Sequence, residues 1–96
     1  MCAERGMALE IVKSAVAGTL ESSDAYVEIG PGDGLDIQLE SVVMAQFGES
    51  IRETVSQILK ENGVENANVR VVDRGALECV IRARVETAIL RGKGDV

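Results

Sequence analysis

A chain of 96 residues, 46% of them hydrophobic, is one small folded domain with a modest core and a thin margin of stability. Its 16 acids against 10 bases leave a net charge of -6, which opposes nucleic acid or an anionic membrane as a partner. Tyr26 and Phe47 are its only aromatics, too few for a base-stacking platform, and histidine is absent.

The chain opens without an apolar run over residues 1–6, and no stretch approaches the length of a membrane span, so cytoplasm is the expected location. Met7 offers an alternative start. Residues 1–10 read as a flexible extension, 11–91 as the domain and 92–96 as a flexible tail. Cys2 and Cys79 supply neither a disulfide framework nor metal-ligand spacing, and Cys79, inside a helical pattern, reads as an inert and partly buried thiol. No metal site is expected.

From Ala8 to Leu20 the pattern is extended, with Leu9 and Ile11 alternating against Glu10 and Val12, and it leaves room for an N-terminal edge strand. Few large side chains pin this segment, which leads into a flexible serine loop, so mobility is expected in the segment itself. Tyr26-Val27-Glu28-Ile29 alternates cleanly, as does Leu35-Asp36-Ile37-Gln38-Leu39-Glu40 with its leucines and isoleucine inward. Gly30-Pro31-Gly32-Asp33-Gly34 between them reads as the turn of an antiparallel hairpin. It is not a phosphate cradle, because no Lys-Ser/Thr pair and no helix start follows it.

Ser41 is a fair N-cap for an amphipathic helix of about five turns. Val43, Met44, Phe47, Ile51, Val55 and Ile58 share its apolar side, opposite Glu49, Arg52, Glu53, Ser56 and Lys60. Asn62-Gly63 ends it, glycine supplying the left-handed stop. Ala67 to Val72 is a third strand, and the helix before it allows a parallel, right-handed crossover. Asp73 is read as the cap of a second helix from Gly75 to about Arg91, with Leu77, Val80, Ile81, Val85 and Ala88 on its apolar side. The fold class is therefore α+β, a two-layer sandwich in ββαβα order with a small mixed sheet and both helices on one face.

Two features carry chemistry. Gly18-Thr19-Leu20-Glu21-Ser22-Ser23-Asp24 sets two hydroxyls side by side between acids. With no histidine in the chain and no lysine nearer than Lys13, no serine-histidine or serine-lysine pair can form locally. Ser22, Ser23 and Asp24 then either form a turn that bonds its own backbone or present a serine to a modifying enzyme. Residue chemistry does not choose between Ser22 and Ser23. The second feature is Arg84, which projects from the apolar side of the second helix. A buried guanidinium must find a carboxylate such as Asp73 or Glu40, reach water, or serve a phosphate.

Ala15-Val16-Ala17-Gly18-Thr19-Leu20-Glu21-Ser22-Ser23-Asp24 resembles the N-terminal segment of the citrate lyase acyl carrier protein (gamma subunit) family. Gln46-Phe47-Gly48-Glu49-Ser50-Ile51-Arg52 and the run from Asp73 to Glu86 agree with the same family, in family order. The resemblance implies a non-catalytic carrier whose modified serine is Ser22, bearing 2'-(5''-phosphoribosyl)-3'-dephospho-CoA through a phosphodiester. Its arm would carry acetyl and citryl thioesters between the alpha (transferase) and beta (lyase) subunits, after loading by a holo-carrier synthase and an acetylating ligase. Glu21 and Asp24 are the expected contacts for the modifying enzyme, and Arg84 a candidate contact for a phosphate of the arm. The related carrier of malonate decarboxylase, and an unmodified α+β interaction module, stand as alternatives.

Overall fold

The computed structural model describes residues 10–41 and 44–93, with backbone alone at 44–47. Four strands and two helices follow in the order β1 (Ala15–Gly18), β2 (Ala25–Gly30), β3 (Leu35–Ser41), α1 (Met44–Glu61), β4 (Ala67–Asp73) and α2 (Glu78–Gly92). The α+β sandwich expected from the sequence is present, with the N-terminal edge strand included. That strand lies in the small-residue stretch of the extended segment, after the Leu9–Ile11 alternation.

The strands form one mixed sheet in the order β1-β2-β4-β3. β1 pairs antiparallel with β2, and β2 antiparallel with β4, whereas β3 runs parallel to β4 through the α1 crossover. The expected hairpin between β2 and β3 is therefore overturned: β4 lies between them. Residues 31–34 arch across the end of β4, where Ala67 donates its N–H to the Gly34 carbonyl at 2.9 Å and Asn68 Nδ2 donates to Pro31 O at 3.3 Å. A Cβ at Gly32 would lie 2.8 Å from the Ala67 carbonyl carbon, so the arch closes only over glycine.

Register assigns the faces. Ala17, Val27, Val71 and Leu39 stand in one cross-sheet row, and Ala15, Ile29, Val69 and Ile37 in the next. These rows face the helices and make the core with Val55, Ile58, Leu59, Val85 and Ile89. α2 packs over β1 and β2, α1 over β3, and the helices touch each other. The opposite face bears Tyr26, Glu28, Arg70 and Glu40, with Arg70 3.6 Å from each glutamate.

The wheel read for α1 holds where side chains are described: Ile51, Val55 and Ile58 are buried, and Glu49, Arg52, Glu53 and Lys60 are exposed. The side chains of Met44 and Phe47, with Val43 and the N-cap contact expected of Ser41, fall outside the described residues. Gly63 stops the helix as expected. Its φ is 77°, and the Val64 N–H to Leu59 O bond at 2.9 Å and the Gly63 N–H to Lys60 O bond at 3.0 Å complete a Schellman motif.

α2 departs from expectation at its start. It begins at Glu78, behind an extended Leu77 that offers no side-chain cap. Asp73 is 1% exposed and caps the preceding turn instead, accepting the N–H groups of Gly75 at 3.1 Å and Ala76 at 2.8 Å and the Ser41 hydroxyl at 2.8 Å. An Asx turn at Asp73-Arg74-Gly75 competes with helix initiation for the same backbone donors, and it wins. Leu77 is consequently 70% exposed rather than part of the apolar side, and Cys79 is exposed rather than partly buried.

Candidate functional site

Because β1 and β2 are antiparallel neighbours, residues 19–24 are a hairpin loop that leaves the sheet from the Gly18–Tyr26 pair. Gly18 starts it at φ 89°. A Cβ there would lie 1.8 Å from the Ala25 carbonyl oxygen and 3.0 Å from Arg84 Cδ. Glycine alone admits both the turn and the passage of the Arg84 stem.

Inside the loop, Asp24 donates its N–H to the Glu21 carbonyl at 3.2 Å, closing a β-turn with Ser22 and Ser23 at its corners. Ser23 has φ 66°, positive at the third turn position as in a type II turn, and it is the sole non-glycine residue with positive φ among the described residues. The turn is tied to the connection between β4 and α2. Ser23 donates its N–H to Arg74 O at 2.8 Å, and Arg74 returns one to Asp24 O at 3.0 Å. Backbone satisfaction here is reciprocal, so the loop sits on the domain as a braced element.

The Asp24 carboxylate organises the rest. Arg84 reaches it bidentately, Nε to Oδ1 at 3.0 Å and Nη2 to Oδ2 at 3.2 Å. The Thr19 hydroxyl donates to Oδ2 at 2.6 Å, the Ala25 N–H donates to Oδ1 at 2.7 Å, and Thr19 Oγ1 accepts the Glu21 N–H at 3.2 Å. The hydrogen bonds from Thr19, Arg84 and Ala25 all favour the charged form and lower the pKa of Asp24 to about 2. Arg84 thus has its carboxylate, and it is neither Asp73, which bonds Ser41, nor Glu40, which lies beside Arg70.

Ser22 is exposed at the first corner of the turn, and its hydroxyl makes no hydrogen bond among the described residues. No group of three or more His, Cys, Asp or Glu able to hold a metal occurs among those residues. Because Ser22 is exposed and its hydroxyl is not used in holding the turn, a group on Ser22 Oγ breaks no hydrogen bond among the described residues. The geometry fits a covalently held prosthetic group there. Glu21 is exposed beside Ser22, whereas Asp24 is taken up in holding the loop. Sequence reasoning singled out Ser22, Glu21, Asp24 and Arg84 but missed Thr19, the Arg74 backbone and the steric role of Gly18. Only Gly18 leaves a trace in the sequence, as the glycine ahead of the two serines.

These features define a small α+β domain that presents two exposed serines, Ser22 and Ser23, on a braced hairpin. The chain belongs to the acyl carrier protein family described as ACP: Malonate decarboxylase delta subunit (MdcD), whose model matches residues 12–92. It is 53% identical over 90 residues to the citrate lyase acyl carrier protein of Albidiferax ferrireducens, covering 92% of both chains. It is also 53% identical over 85 residues to that of Escherichia fergusonii, covering 86% of this chain and 88% of the relative. The resemblance read from the sequence is confirmed, and the chain is an acyl carrier, a non-catalytic type of subunit. A chain in the crystal structure of a Pseudomonas malonate decarboxylase hetero-tetramer in complex with malonate superposes with a TM-score of 0.76, covering 88% of both chains at 21% identity, and so shares the fold.

Proposed function

We propose that this chain is the acyl carrier subunit of a citrate lyase and that Ser22 bears phosphoribosyl-dephospho-CoA through a phosphodiester. The observation that carries the reading is the exposed Ser22 at the corner of a turn braced by Asp24 and Arg84, in a chain 53% identical to citrate lyase acyl carrier proteins. In the attachment step the Ser22 Oγ–P bond forms as the activated precursor's phosphate leaving group departs, and the hydroxyl proton goes to a base of the holo-carrier synthase. The bound group supplies a thiol that holds acetyl and citryl as thioesters for the transferase and lyase subunits, after an acetylating ligase has loaded it. The domain's contribution is tethering, which sets a local concentration of order millimolar at each partner site. Glu21 is the acid left open to the synthase, and the third guanidinium nitrogen of Arg84 the group left open to a phosphate of the arm.

The family model and the shared fold of the Pseudomonas chain favour a second reading, the same carrier role in malonate decarboxylase. The much higher identity to the citrate lyase carriers supports the first.

The experiment is peptide-level mass spectrometry after incubation with synthase and activated precursor. The adduct is expected on Ser22, absent from Ser22→Ala and retained in Ser23→Ala. An adduct that persists in the Ser22 variant and vanishes in the Ser23 variant overturns the assignment. Turnover of citrate, and not malonate, on reconstitution with each set of partner subunits separates the two readings.

A further inference from the structure

We propose that the outer edge of β3 is a strand-docking site, which takes an extended segment of a partner protein with basic residues opposite Asp36 and Glu40. The inference does not depend on the attachment at Ser22. β3 is an edge strand of seven residues, and β4 pairs with its inner side alone. The bond from Ala67 N–H to Gly34 O, with Leu35 in register with Ala67, fixes the alternation that follows. The backbone groups of Asp36, Gln38 and Glu40 point to β4, and those of Leu35, Ile37 and Leu39 point outward. Among the described residues one of these outward groups has a partner: Ile37 O accepts Arg52 Nη1 from α1 at 2.8 Å. The others form a row of donors and acceptors at strand spacing, the pattern that an added strand completes.

The other edge of the sheet is not a second such site. β1 has four residues, and its Val16 carbonyl accepts Arg91 Nη1 at 2.8 Å. On β3 the guard is lighter for the length of edge left open. Arg52 covers a single carbonyl, which keeps a second lone pair for an incoming N–H.

Side chains select the strand that fits. Ile37 and Leu39 are half-buried toward the helices, whereas Asp36 and Glu40 are exposed on the open face. Glu28, Asp36 and Glu40 share that face with Arg70, the one base in the four strands, which lies 3.6 Å from both glutamates. A second copy of β3 would add its own Asp36 and Glu40 to this acidic face, and like charges across a strand pair are destabilising. A foreign strand that alternates apolar and basic residues meets both requirements, with apolar contact toward Ile37 and Leu39 and opposite charge toward Asp36 and Glu40. The row of acids thus favours a basic partner and discourages edge-to-edge pairing of carriers.

The test uses a blocked peptide of alternating lysine and valine, as long as β3, added to the full-length carrier and followed by amide NMR. Amide exchange at Leu35, Ile37 and Leu39 should slow, and that at Asp36, Gln38 and Glu40, already paired with β4, should change little. Two further peptides of the same charge carry N-methyl groups on the valines alone or on the lysines alone. One of them should bind roughly tenfold more weakly or worse, as the loss of donors along its pairing edge requires, and the other should not. Asp36→Lys combined with Glu40→Lys, at exposed positions, should weaken binding of the unmethylated peptide and keep the melting temperature near that of the parent. Equal affinity for the two methylated peptides would reduce the attraction to charge and overturn strand docking. Slowed exchange at residues 35, 37 and 39 in the carrier alone, with a doubled mass in sedimentation, would give the edge to a second copy and overturn the basic partner.

Discussion

Arg84, from the middle of α2, grips the carboxylate of Asp24, sixty residues earlier in the hairpin loop, with two parallel hydrogen bonds of 3.0 and 3.2 Å. Asp24 is 15% exposed at its side chain and Arg84 40%, so the pair sits at the rim of the domain, half shielded from water. The pair links the two parts of the molecule that differ most in character. One is a helix packed on the sheet, and the other a polar turn that carries Ser22 and Ser23. Bidentate geometry fixes orientation as well as distance.

Loss of either partner should loosen the loop more than the domain. In Arg84→Met, amide exchange at residues 20–24 should quicken while that of β4 and α1 stays near the parent's, and Ser22 should be modified more slowly. Arg84→Lys should restore the charge but only part of the bracing, because an ammonium cannot match a carboxylate bidentately. Equal exchange rates across the loop in parent and Arg84→Met would sink the bracing argument.

The pH dependence follows from the sign of the Asp24 shift. Its pKa falls from 3.8 to about 2 on folding, chiefly through the hydrogen bond from Thr19 and then through Arg84. A depressed carboxylate contributes stability that is complete above its unfolded value and is lost as pH falls through its folded value. The loop bracing should therefore be constant from neutral pH down to about 4 and fail between there and about 2. Titration of the Asp24 carboxyl carbon by NMR measures this directly. Removing Thr19 or Arg84 should each raise the midpoint.

Gly18 and Gly75 separate steric need from conformational freedom. Both have positive φ, 89° and 94°, but a Cβ at Gly75 meets nothing within 4 Å, whereas at Gly18 it strikes the Ala25 carbonyl. Gly75→Ala should cost ~1–2 kcal/mol, the ordinary penalty for a left-handed residue with a side chain. Gly18→Ala should cost clearly more, because β1, β2 or Arg84 must also move. Urea denaturation of the two variants gives the comparison, and equal midpoints would contradict it.

What the sequence disclosed, and what it hid, divides along contact distance. Alternation marked β2, β3 and β4, and the 3.6-residue period with Asn62-Gly63 placed α1 and its stop, because those signals are local. The hairpin assigned to Gly30–Gly34 failed for the complementary reason. A glycine-rich turn reports that the chain reverses, not which strand it reverses beside, and β4 intervenes only through the register Val27–Val71 and Leu39–Val71. β1 was hard to delimit because Ala15-Val16-Ala17-Gly18 has too little side-chain contrast to show a period. At the site, the serines and the arginine stood out by type, yet nothing local tells Arg84 to choose Asp24 over Asp73. Asp73 is withdrawn by its own turn, a competition visible only once the backbone is placed.

The core offers a direct check on the packing of α1. Leu59 is fully buried in the cluster that includes Val55, Val64 and Ile89. Leu59→Ala should cost ~2–5 kcal/mol, the sum of lost transfer energy and an unfilled cavity. A loss below about 1 kcal/mol by denaturant unfolding would place this side chain outside the core.

Charge supplies the last prediction. The net charge is -6, and Glu21 is exposed beside Ser22, the serine proposed to be modified, while Asp24 is paired with Arg84. If an acidic surface steers the carrier toward the basic face of its modifying enzyme, association should slow as salt rises, because exposed charges are screened beyond ~8 Å at physiological ionic strength. Glu21→Gln should reduce the association rate at low salt and matter little at high salt. Asp24→Asn should act differently, lowering the modification rate at all salt concentrations, since its carboxylate braces the loop rather than facing a partner. Stopped-flow binding of each variant to the synthase across a salt series distinguishes the two. Identical salt slopes for the parent and Glu21→Gln would remove Glu21 from the encounter surface.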